Sequence, residues 1–236
     1  TQLTEINVDE ANPYFSSLDG VLTDKNRTTI VAYPAGKGKR YIIPDGITKI
    51  GTHSFFACPI TYIHTPNSVK TIELFAFASC TDLDTIILGN SVDSIEGAAF
   101  RINDRLKTIY SMNPIPPAAH PEAFSSFSPM FFIQCTLHVP VGSLQAYKNA
   151  EVWKNFKNIV ENDFTGIERP SPDKAKIFGN KNSIAFRNIE PDTDISIYDT
   201  TGKCIKTFAV DGDSEIPFPS GIYLIKYAGK TVKIIL

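Results

Sequence analysis

The side chains best suited to catalysis or metal binding in this chain are its four cysteines and four histidines. They are Cys58, Cys80, Cys135 and Cys204, and His53, His64, His120 and His138. No Cys-x-x-Cys pair occurs, as zinc and thioredoxin-like redox sites require, and no two histidines have the spacing of metal ligands on a helix or strand. We therefore expect no metal site, and we expect the cysteines to be buried free thiols that pack as small apolar side chains.

No motif of an enzyme class stands out either. The chain has no G-x-S-x-G nucleophile elbow, H-E-x-x-H zinc motif, phosphate-binding loop or dinucleotide fingerprint. Cys80 and His64 could form a thiolate pair, but Cys80 holds the same place in its segment as Cys58 does. Packing in the core is the better interpretation of Cys80. The prediction is a protein that is not an enzyme and that needs no cofactor.

The overall charge argues against one class of partner. The 236 residues include 23 Lys and Arg against 25 Asp and Glu, a formal net charge of −2, whereas nucleic-acid binders need a basic excess on at least one face. The longest uncharged stretch, residues 123–147, contains too many polar residues and prolines to span a membrane. The first five residues have neither the basic nor the apolar part of a leader, so we expect either a cytosolic protein or one whose leader has been removed.

The strongest pattern is an internal repeat of 22 to 24 residues. Its columns are Phe55, Phe77, Phe100 and Phe124; Ile47, Val69 and Val92; Ile50, Ile72 and Ile95; Ile60, Leu83 and Leu106; and Ile63, Ile86 and Ile109. A unit of this length cannot enclose a core, so it must stack its apolar columns on those of its neighbours. We expect a solenoid with strands near 83–88 on one wall, short extended segments near 69–72 on the other, and the phenylalanines between them.

The repeat also resembles a known family. Pro66 to Ile86 reads Pro-x-x-Val-x-x-Ile, then Ala-Phe, then Cys-x-x-Leu-x-x-Ile, and this is similar to the BspA-type leucine-rich repeat of surface proteins from Bacteroides-type bacteria and other organisms. Gly89 stands where the family usually has Pro, and Asn103 where it usually has Cys. The resemblance implies a leucine-rich-repeat solenoid on a secreted or surface-displayed protein, with adhesion as its role.

The segments on either side of the repeats extend this resemblance. Residues 13–40, with a polar turn at Asp24–Arg27, are similar to the family's N-terminal hairpin. Residues 136–163 are similar to its capping element, in which Ser143 would be the N-cap of a short helix beginning at Leu144. We expect the repeats to occupy 41–135 and the whole solenoid to occupy 1–163.

The last part of the chain has a different character. Prolines 170 and 172 and several charges predict a linker at 164–174. In 175–236, short alternating runs near 194–198, 204–208, 221–227 and 231–236 predict a small antiparallel, immunoglobulin-like β-sandwich. Tyr198-Asp199-x-x-Gly202-Lys203, followed by Gly221-Ile222-Tyr223, resembles the sorting-signal sandwich of the type IX secretion system. That resemblance implies a role in export across the outer membrane; a purely structural accessory module is the alternative.

A candidate binding surface follows from the alternation of side chains along the longer strands. With Tyr41, Ile63, Ile86 and Ile109 in the core, their neighbours must face outward. The outward set is Ile42, His64, Ile87 and Tyr110, with Arg40, Tyr62, Thr85 and Thr108 beside them. A solvated face is normally rich in Lys, Glu and Thr, so an aromatic and aliphatic one predicts a contact surface, unless a loop or the N-terminal hairpin covers it. The candidate partner-binding residues are Arg40, Ile42, Tyr62, His64, Ile87 and Tyr110.

The sequence thus predicts a mostly β protein: a short solenoid with an N-terminal hairpin and a short helical C-terminal cap, followed by a small sandwich. Its expected function is non-enzymatic recognition of host or cell-surface proteins, at the outer-membrane surface or in the extracellular space. A structural spacer that self-associates weakly is the alternative. A hydrolase of surface polymers is less favoured, because it would need a deep cleft with coupled acidic groups.

Overall fold

A computed structural model describes most of the chain and divides it into two units, 1–164 and 165–236. The described residues are 3–126, 128–164, 176–180, 182–187, 189, 193–210, 214–227 and 230–236. The predicted linker falls outside them, apart from Phe164. Each unit is described by itself.

The first unit is a two-walled solenoid. Its strands β1 to β13 are, in chain order, Phe15–Leu18, Val21–Asp24, Thr29–Ala32, Arg40–Ile42, Lys49–Ile50, Tyr62–His64, Thr71–Ile72, Thr85–Leu88, Ser94–Ile95, Thr108–Ser111, Ala118–Ala119, Thr136–Pro140 and Asn158–Asn162. Two short helices, α1 (Phe131–Gln134) and α2 (Leu144–Asn149), and a 3-10 turn at Trp153–Asn155 follow the repeats. Among the described residues, no helix is long and apolar enough to cross a membrane.

The strands form one sheet on each wall. The seven-stranded sheet has the order β1-β2-β3-β5-β7-β9-β11, and the six-stranded sheet has the order β13-β12-β10-β8-β6-β4. All pairs in the six-stranded sheet are parallel, as are those of the seven-stranded sheet from β3 onward. Each turn of the chain therefore adds one strand to each wall. The predicted solenoid is confirmed.

The phenylalanine column fills the space between the walls. The rings of Phe55, Phe77, Phe100 and Phe124 stack in succession, with centroids 4.8, 5.3 and 5.1 Å apart. All four side chains are buried, as are the members of the four aliphatic columns. Like residues thus lie on like residues along one interior, and burial of apolar area on this scale is the main stabilising term of the unit.

A column of hydrogen-bond donors lies beside the rings. The Cys80 thiol donates to the carbonyl oxygen of Phe55 (Sγ···O 3.0 Å), and the Asn103 amide donates to the carbonyl oxygen of Phe77 (Nδ2···O 3.0 Å). Asn103 therefore takes over the role of the cysteine that the repeat pattern usually has at its position. Cys58, Cys80 and Cys135 are buried as expected, but the expectation is wrong for Cys204, which is exposed on a strand of the second unit.

The N-terminal segment contains the predicted hairpin, β2–β3, and strand β1 extends it to a three-stranded meander. Strands β1 and β2 are joined by Asp19 and Gly20, both at positive φ (49° and 71°), as a tight hairpin turn requires. In the predicted polar turn between β2 and β3, the Asp24 carboxylate accepts the backbone N–H groups of Thr28 and Thr29 at 2.7 and 2.8 Å. Strand β3 then pairs with β5, so the meander closes one end of the seven-stranded sheet.

The other end carries the predicted helical cap, with one correction. Helix α2 begins at Leu144 as expected, but the Ser143 side chain makes no capping hydrogen bond and is buried. Instead, the Glu161 carboxylate on β13 accepts the backbone N–H groups of Gly142 and Leu144 at 2.8 and 3.0 Å. A long-range carboxylate has therefore taken the place of the local hydroxyl, and it also suits the positive end of the helix.

Replacing Glu161 with alanine should lower the free energy of unfolding by about 0.5–2 kcal/mol, the usual effect of losing a cap. The variant leaves two N–H groups at the start of α2 without their acceptor. Glu151→Ala is the matched control, because Glu151 is an exposed glutamate outside this contact, and it should change stability by no more than about 0.5 kcal/mol. Urea unfolding measures both. Equal losses would show that Glu161 does not cap the helix.

The second unit consists of two antiparallel sheets. Its strands β14 to β20 are Lys176–Asn180, Ser183–Arg187, Thr193–Tyr198, Cys204–Val210, Ser214–Pro217, Ile222–Tyr227 and Lys230–Ile235. The sheets have the orders β14-β15-β18 and β17-β16-β19-β20, and their core includes Ile184, Phe186, Ile195, Ile197 and Ile225. The architecture is that of a small β-sandwich, as predicted, with β14, β15 and β18 added to the four strands that the alternation had indicated.

Candidate recognition surface

The outward side chains of the six-stranded sheet form two ladders in register. One contains Ile42, His64, Ile87, Tyr110, His138 and Val160, and the other contains Arg40, Tyr62, Thr85, Thr108, Thr136 and Asn158. The residues between them in sequence, such as Ile63, Ile86 and Ile109, belong to the core. We call this side of the sheet the outer face. Its register places the six candidate residues on neighbouring strands, four of them in the first ladder and two in the second.

The centre of the outer face is not exposed. His64 and Ile87 each have 5% of their surface accessible, so the expectation that they are open to solvent is wrong. They lie on the central strands β6 and β8, where side chains of two adjacent strands flank them at a spacing of about 4.8 Å. Arg40, Tyr62 and Tyr110 are only half-buried, as is Ile42.

Two aromatic contacts lie on either side of this buried centre. The guanidinium carbon of Arg40 stands 4.2 Å from the centroid of the Tyr62 ring, a geometry that contributes about 0.5–1 kcal/mol at an exposed site. The Tyr110 ring stacks on His138 at 4.6 Å, and the Phe164 ring approaches Tyr110 edge-on at 6.3 Å. The polar and aromatic groups of the outer face are therefore already held in fixed pairs.

Two of these residues were missed by sequence reasoning, for different reasons. His138 lies on β12 in register with Tyr110, and extending the repeat by one more strand would have found it. Phe164 follows β13 but reaches Tyr110 on β10, with β12 between the two strands. No local pattern in the sequence indicates that return of the chain.

The buried thiols have no catalytic character. Burial raises the pKa of Cys80 to about 12, and it raises those of Cys135 and Cys58 to about 12 and about 11. A thiol with such a pKa stays protonated at neutral pH and is a poor nucleophile and metal ligand. In the described parts of the chain, no group of three His, Cys, Asp or Glu residues could hold a metal ion.

A second cluster of accessible side chains lies on the turns next to the first two rings of the phenylalanine column. We call it the turn patch, and it consists of His53, Phe56, Leu74 and Phe75. The His53 ring stacks on Phe75 at 5.1 Å and meets the edge of Phe56 at 5.5 Å. Phe56 and Leu74 are 48% and 40% exposed. Alternation along strands could not indicate this patch, because His53 and Phe75 have the left-handed backbone conformation of turns, with φ of 58° and 55°.

Comparison with known proteins finds one family that is similar to the repeats. Residues 34–138 match the family described as BspA type leucine rich repeat region, in six copies. A search of curated proteins found no significant match.

Similar solved structures include a vaccine antigen, a leucine rich cell surface protein and a leucine-rich repeat protein. The pneumococcal vaccine antigen PcpA is 18% identical, with a TM-score of 0.44 over 68% of this chain and 50% of that one. A leucine rich cell surface protein from Faecalibacterium prausnitzii is 17% identical, with a TM-score of 0.35 over 64% and 40% of the two chains. A leucine-rich repeat protein from Bacteroides capillosus is 21% identical, with a TM-score of 0.38 over 69% and 100%.

The chain therefore spans half the length of the first of these proteins and two fifths of the second. The matched range includes Pro66–Ile86, the segment whose residues resemble the family's repeat pattern. Residues 34–138 of this chain are similar to BspA-type leucine-rich repeat regions.

Proposed function

We propose that this chain is a non-enzymatic recognition protein of the cell surface or the extracellular space, and that it adheres to a protein or another cell-surface component. Leucine-rich repeat proteins generally bind proteins. A solenoid suits recognition because its outward residues can vary without disturbing the stacked core. We assign the binding to the outer face of the six-stranded sheet.

The observation that carries this assignment is the pair of aromatic contacts in register on the outer face. Arg40 lies over Tyr62, and Tyr110 lies on His138. Tyrosine and arginine dominate the energetics of protein interfaces. These side chains are already held against neighbours. Binding a partner through them therefore costs less conformational entropy than binding through side chains that are free to rotate.

The double variant Tyr62→Ala, Tyr110→Ala should reduce binding of the labelled protein to intact host epithelial cells at least tenfold, the effect of removing two interface anchors of more than 1 kcal/mol each. Its melting temperature should fall by only a few degrees, because both rings are half-buried and lie outside the core. The matched control is Tyr14→Ala, which removes a tyrosine that is 75% exposed outside the sheet. Tyr14→Ala should leave cell binding unchanged.

Two results would redirect the proposal. A large loss of stability with normal cell binding would make Tyr62 and Tyr110 structural residues. A concentration-dependent dimer in light scattering, lost in the same double variant, would favour self-assembly through the outer face instead of adhesion.

For the second unit we propose a separate domain, 175–236, that acts as a sorting sandwich after a linker at 164–174. The division of the chain after Phe164 is consistent with this boundary. Within the motif that resembles sorting domains, the Asp199 carboxylate accepts the N–H groups of Thr201 and Lys203 at 2.9 and 3.0 Å, around Gly202 at a φ of 84°. These contacts explain why the motif suits a tight turn, and export is the function we assign to the domain by resemblance.

A further inference from the structure

A cleft of about 610 Å³ opens beside the turn patch, on a different side of the repeats from the outer face. Leu74 and Phe75 line one side, His120 lies on the other, and Gly97 and Ala98 are between them. A side chain at Gly97 would meet Leu74 Cδ1 at 3.4 Å and His120 Nδ1 at 3.3 Å. The volume lies in the range of about 300–1,000 Å³ that is usual for ligand sites.

The cleft exists because a ladder of rings is interrupted. His53, Phe75, Ala98 and Glu122 hold the same position in successive repeats, two residues before each phenylalanine of the core column. Their backbones are joined in register, since the N–H of Phe75 donates to the Gly97 carbonyl and that of Ala98 to the Glu122 carbonyl. His53 and Phe75 stack at 5.1 Å, much like the 4.8–5.3 Å spacing of the core rings. At Ala98 the next ring is replaced by a methyl group.

The other repeats do not keep the aromatic residues of the turn patch. The position of Phe75 is occupied by Ala98 in the next repeat. The position of Phe56 is occupied by Ala78 in the next repeat and by Arg101 in the one after it. Large apolar side chains that remain exposed where small ones suffice are typical of contact surfaces. A planar ring that enters at the level of Ala98 would continue the stack on Phe75.

The polar groups of the cleft indicate the charge of the ligand group that would lie next to that ring. Its charged side chains are Glu96, Glu122 and Arg101, an excess of one negative charge. In the described residues no ion pair joins Glu122 or Arg101 to another side chain. His120 Nδ1 accepts the N–H of Glu122 at 3.1 Å, so a neutral imidazole presents its Nε2–H as a donor. A basic side chain next to the aromatic one complements this rim, whereas a polyanion does not.

The apolar lining argues for a protein side chain over a sugar. Seven of the eleven lining residues are apolar or glycine: Leu74, Phe75, Ile95, Gly97, Ala98, Ala118 and Ala119. The hydroxyl groups of a carbohydrate would lose hydrogen bonds to water over such a surface without replacement. We propose that this cleft docks an extended segment of a protein partner, with an aromatic side chain stacked on Phe75 and an adjacent basic side chain beside Glu122.

The test is a titration of the full-length, ¹⁵N-labelled protein with acetyl-Trp-Lys-amide, followed by NMR. We expect saturable shifts of the backbone amides of Gly97, Ala98 and His120. Acetyl-Trp-Glu-amide should bind about two- to fivefold more weakly, the size of effect for an exposed ion pair. Acetyl-Ala-Lys-amide should cause no saturable shift, because it has no ring to stack on Phe75.

Two variants separate the site from general effects on the fold. Ala98→Phe should abolish the shifts by placing the chain's own ring in the gap; His53 and Phe75 show that this backbone conformation accepts a large side chain. Ala57→Phe is the matched control, because Ala57 is exposed, has the same left-handed conformation (φ 54°) and lies outside the cleft. It should bind the peptide normally. Should Ala98→Phe fail to fold, Glu122→Lys tests the same site, and it should reverse the preference between the two tryptophan peptides.

Three results would overturn the proposal. They are no saturable shift at the cleft with acetyl-Trp-Lys-amide, equal binding by the Ala98→Phe and Ala57→Phe variants, or shifts with cellohexaose where the peptides give none. The outcome is independent of the outer face, since the Tyr62→Ala, Tyr110→Ala protein should still bind the peptide.

Discussion

Replacing Phe77 with alanine should lower the free energy of unfolding of the solenoid by about 3–5 kcal/mol, the range for a large aromatic residue removed from a core. Phe77 has no exposed surface and stacks between Phe55 and Phe100, at 4.8 and 5.3 Å. The walls on both sides are held by parallel strands, so they cannot close fully over the cavity. Urea unfolding followed by tryptophan fluorescence measures the loss, because Trp153, the sole tryptophan, is buried in the same unit.

The control for Phe77 is Phe56→Ala. Phe56 follows the core ring of its own repeat by one residue but is 48% exposed, so its loss should change stability by no more than about 0.5 kcal/mol. If the two variants lost the same free energy, burial in the ring stack would not be what stabilises the repeats. The two variants therefore distinguish a buried ring that stabilises the fold from an exposed ring that does not.

The residues that specify the fold were the ones that could be predicted. Phe55, Phe77 and Phe100 repeat at a nearly constant interval because each must fill the same space between two walls. Strand alternation correctly placed Ile63 in the core and Tyr62 on the outer face, because successive side chains of a strand point to opposite sides. A stacked core restricts each interior position to a few side chains of similar size, and this makes the core visible in a single sequence.

The parts that could not be predicted depend on contacts between segments far apart in the chain. Glu161 caps α2 from 17 residues beyond Leu144, whereas the sequence offered Ser143 as a local alternative. His64 faces outward yet is only 5% exposed. Strand alternation predicts the direction of a side chain but not how closely neighbouring side chains pack around it. The left-handed turns at His53 and Phe75 have no glycine to indicate them, so the turn patch was missed.

The outer face and the turn patch share one physical origin. In each repeat the interior positions are fixed by packing, and the positions that point away from the core are free to change. The position of Phe56 shows this freedom, since the following repeats have Ala78, Arg101 and Ser125 there. We explain aromatic residues at such unconstrained positions by binding better than by folding, and both proposed sites contain them: Tyr62 and Tyr110 on the outer face, and Phe75 in the cleft.

Asn103 tests the opposite case, an interior position where the usual residue is absent. Asn103→Asp should lower the free energy of unfolding by about 3–5 kcal/mol at neutral pH, the effect of a buried charge without a partner. Asn103 has no exposed surface, and the new carboxylate would face the carbonyl oxygen of Phe77, to which the amide now donates at 3.0 Å. Urea unfolding at about pH 4 and about pH 7 measures the loss; an equal loss at both would contradict the assignment to a buried charge.

The pH dependence has a defined sign. Burial raises the pKa of a carboxyl group in the folded state above its unfolded value of about 3.9. The folded Asn103→Asp variant then binds a proton more tightly than its unfolded chain does, so its stability is greatest in acid and falls as the pH rises towards the folded pKa. The protonated carboxyl can donate to the Phe77 carbonyl as the amide does, and this recovers part of the loss.

Asn103→Cys is the matched replacement, and its expected effect has the opposite direction. A thiol keeps a donor for the Phe77 carbonyl, as Cys80 does for that of Phe55, and it removes the Asn103 Oδ1 atom, which has no hydrogen-bond partner in the described part of the chain. Relieving one such buried acceptor should raise the free energy of unfolding by about 1 kcal/mol. A cysteine variant as unstable as the aspartate variant would mean that the column needs the shape of asparagine here, and that the equivalence of Cys80 and Asn103 is geometric only. A cysteine variant that is more stable than the natural protein would mean that this position favours a side chain that donates but does not need to accept a hydrogen bond. That preference would explain why the family pattern has a cysteine here.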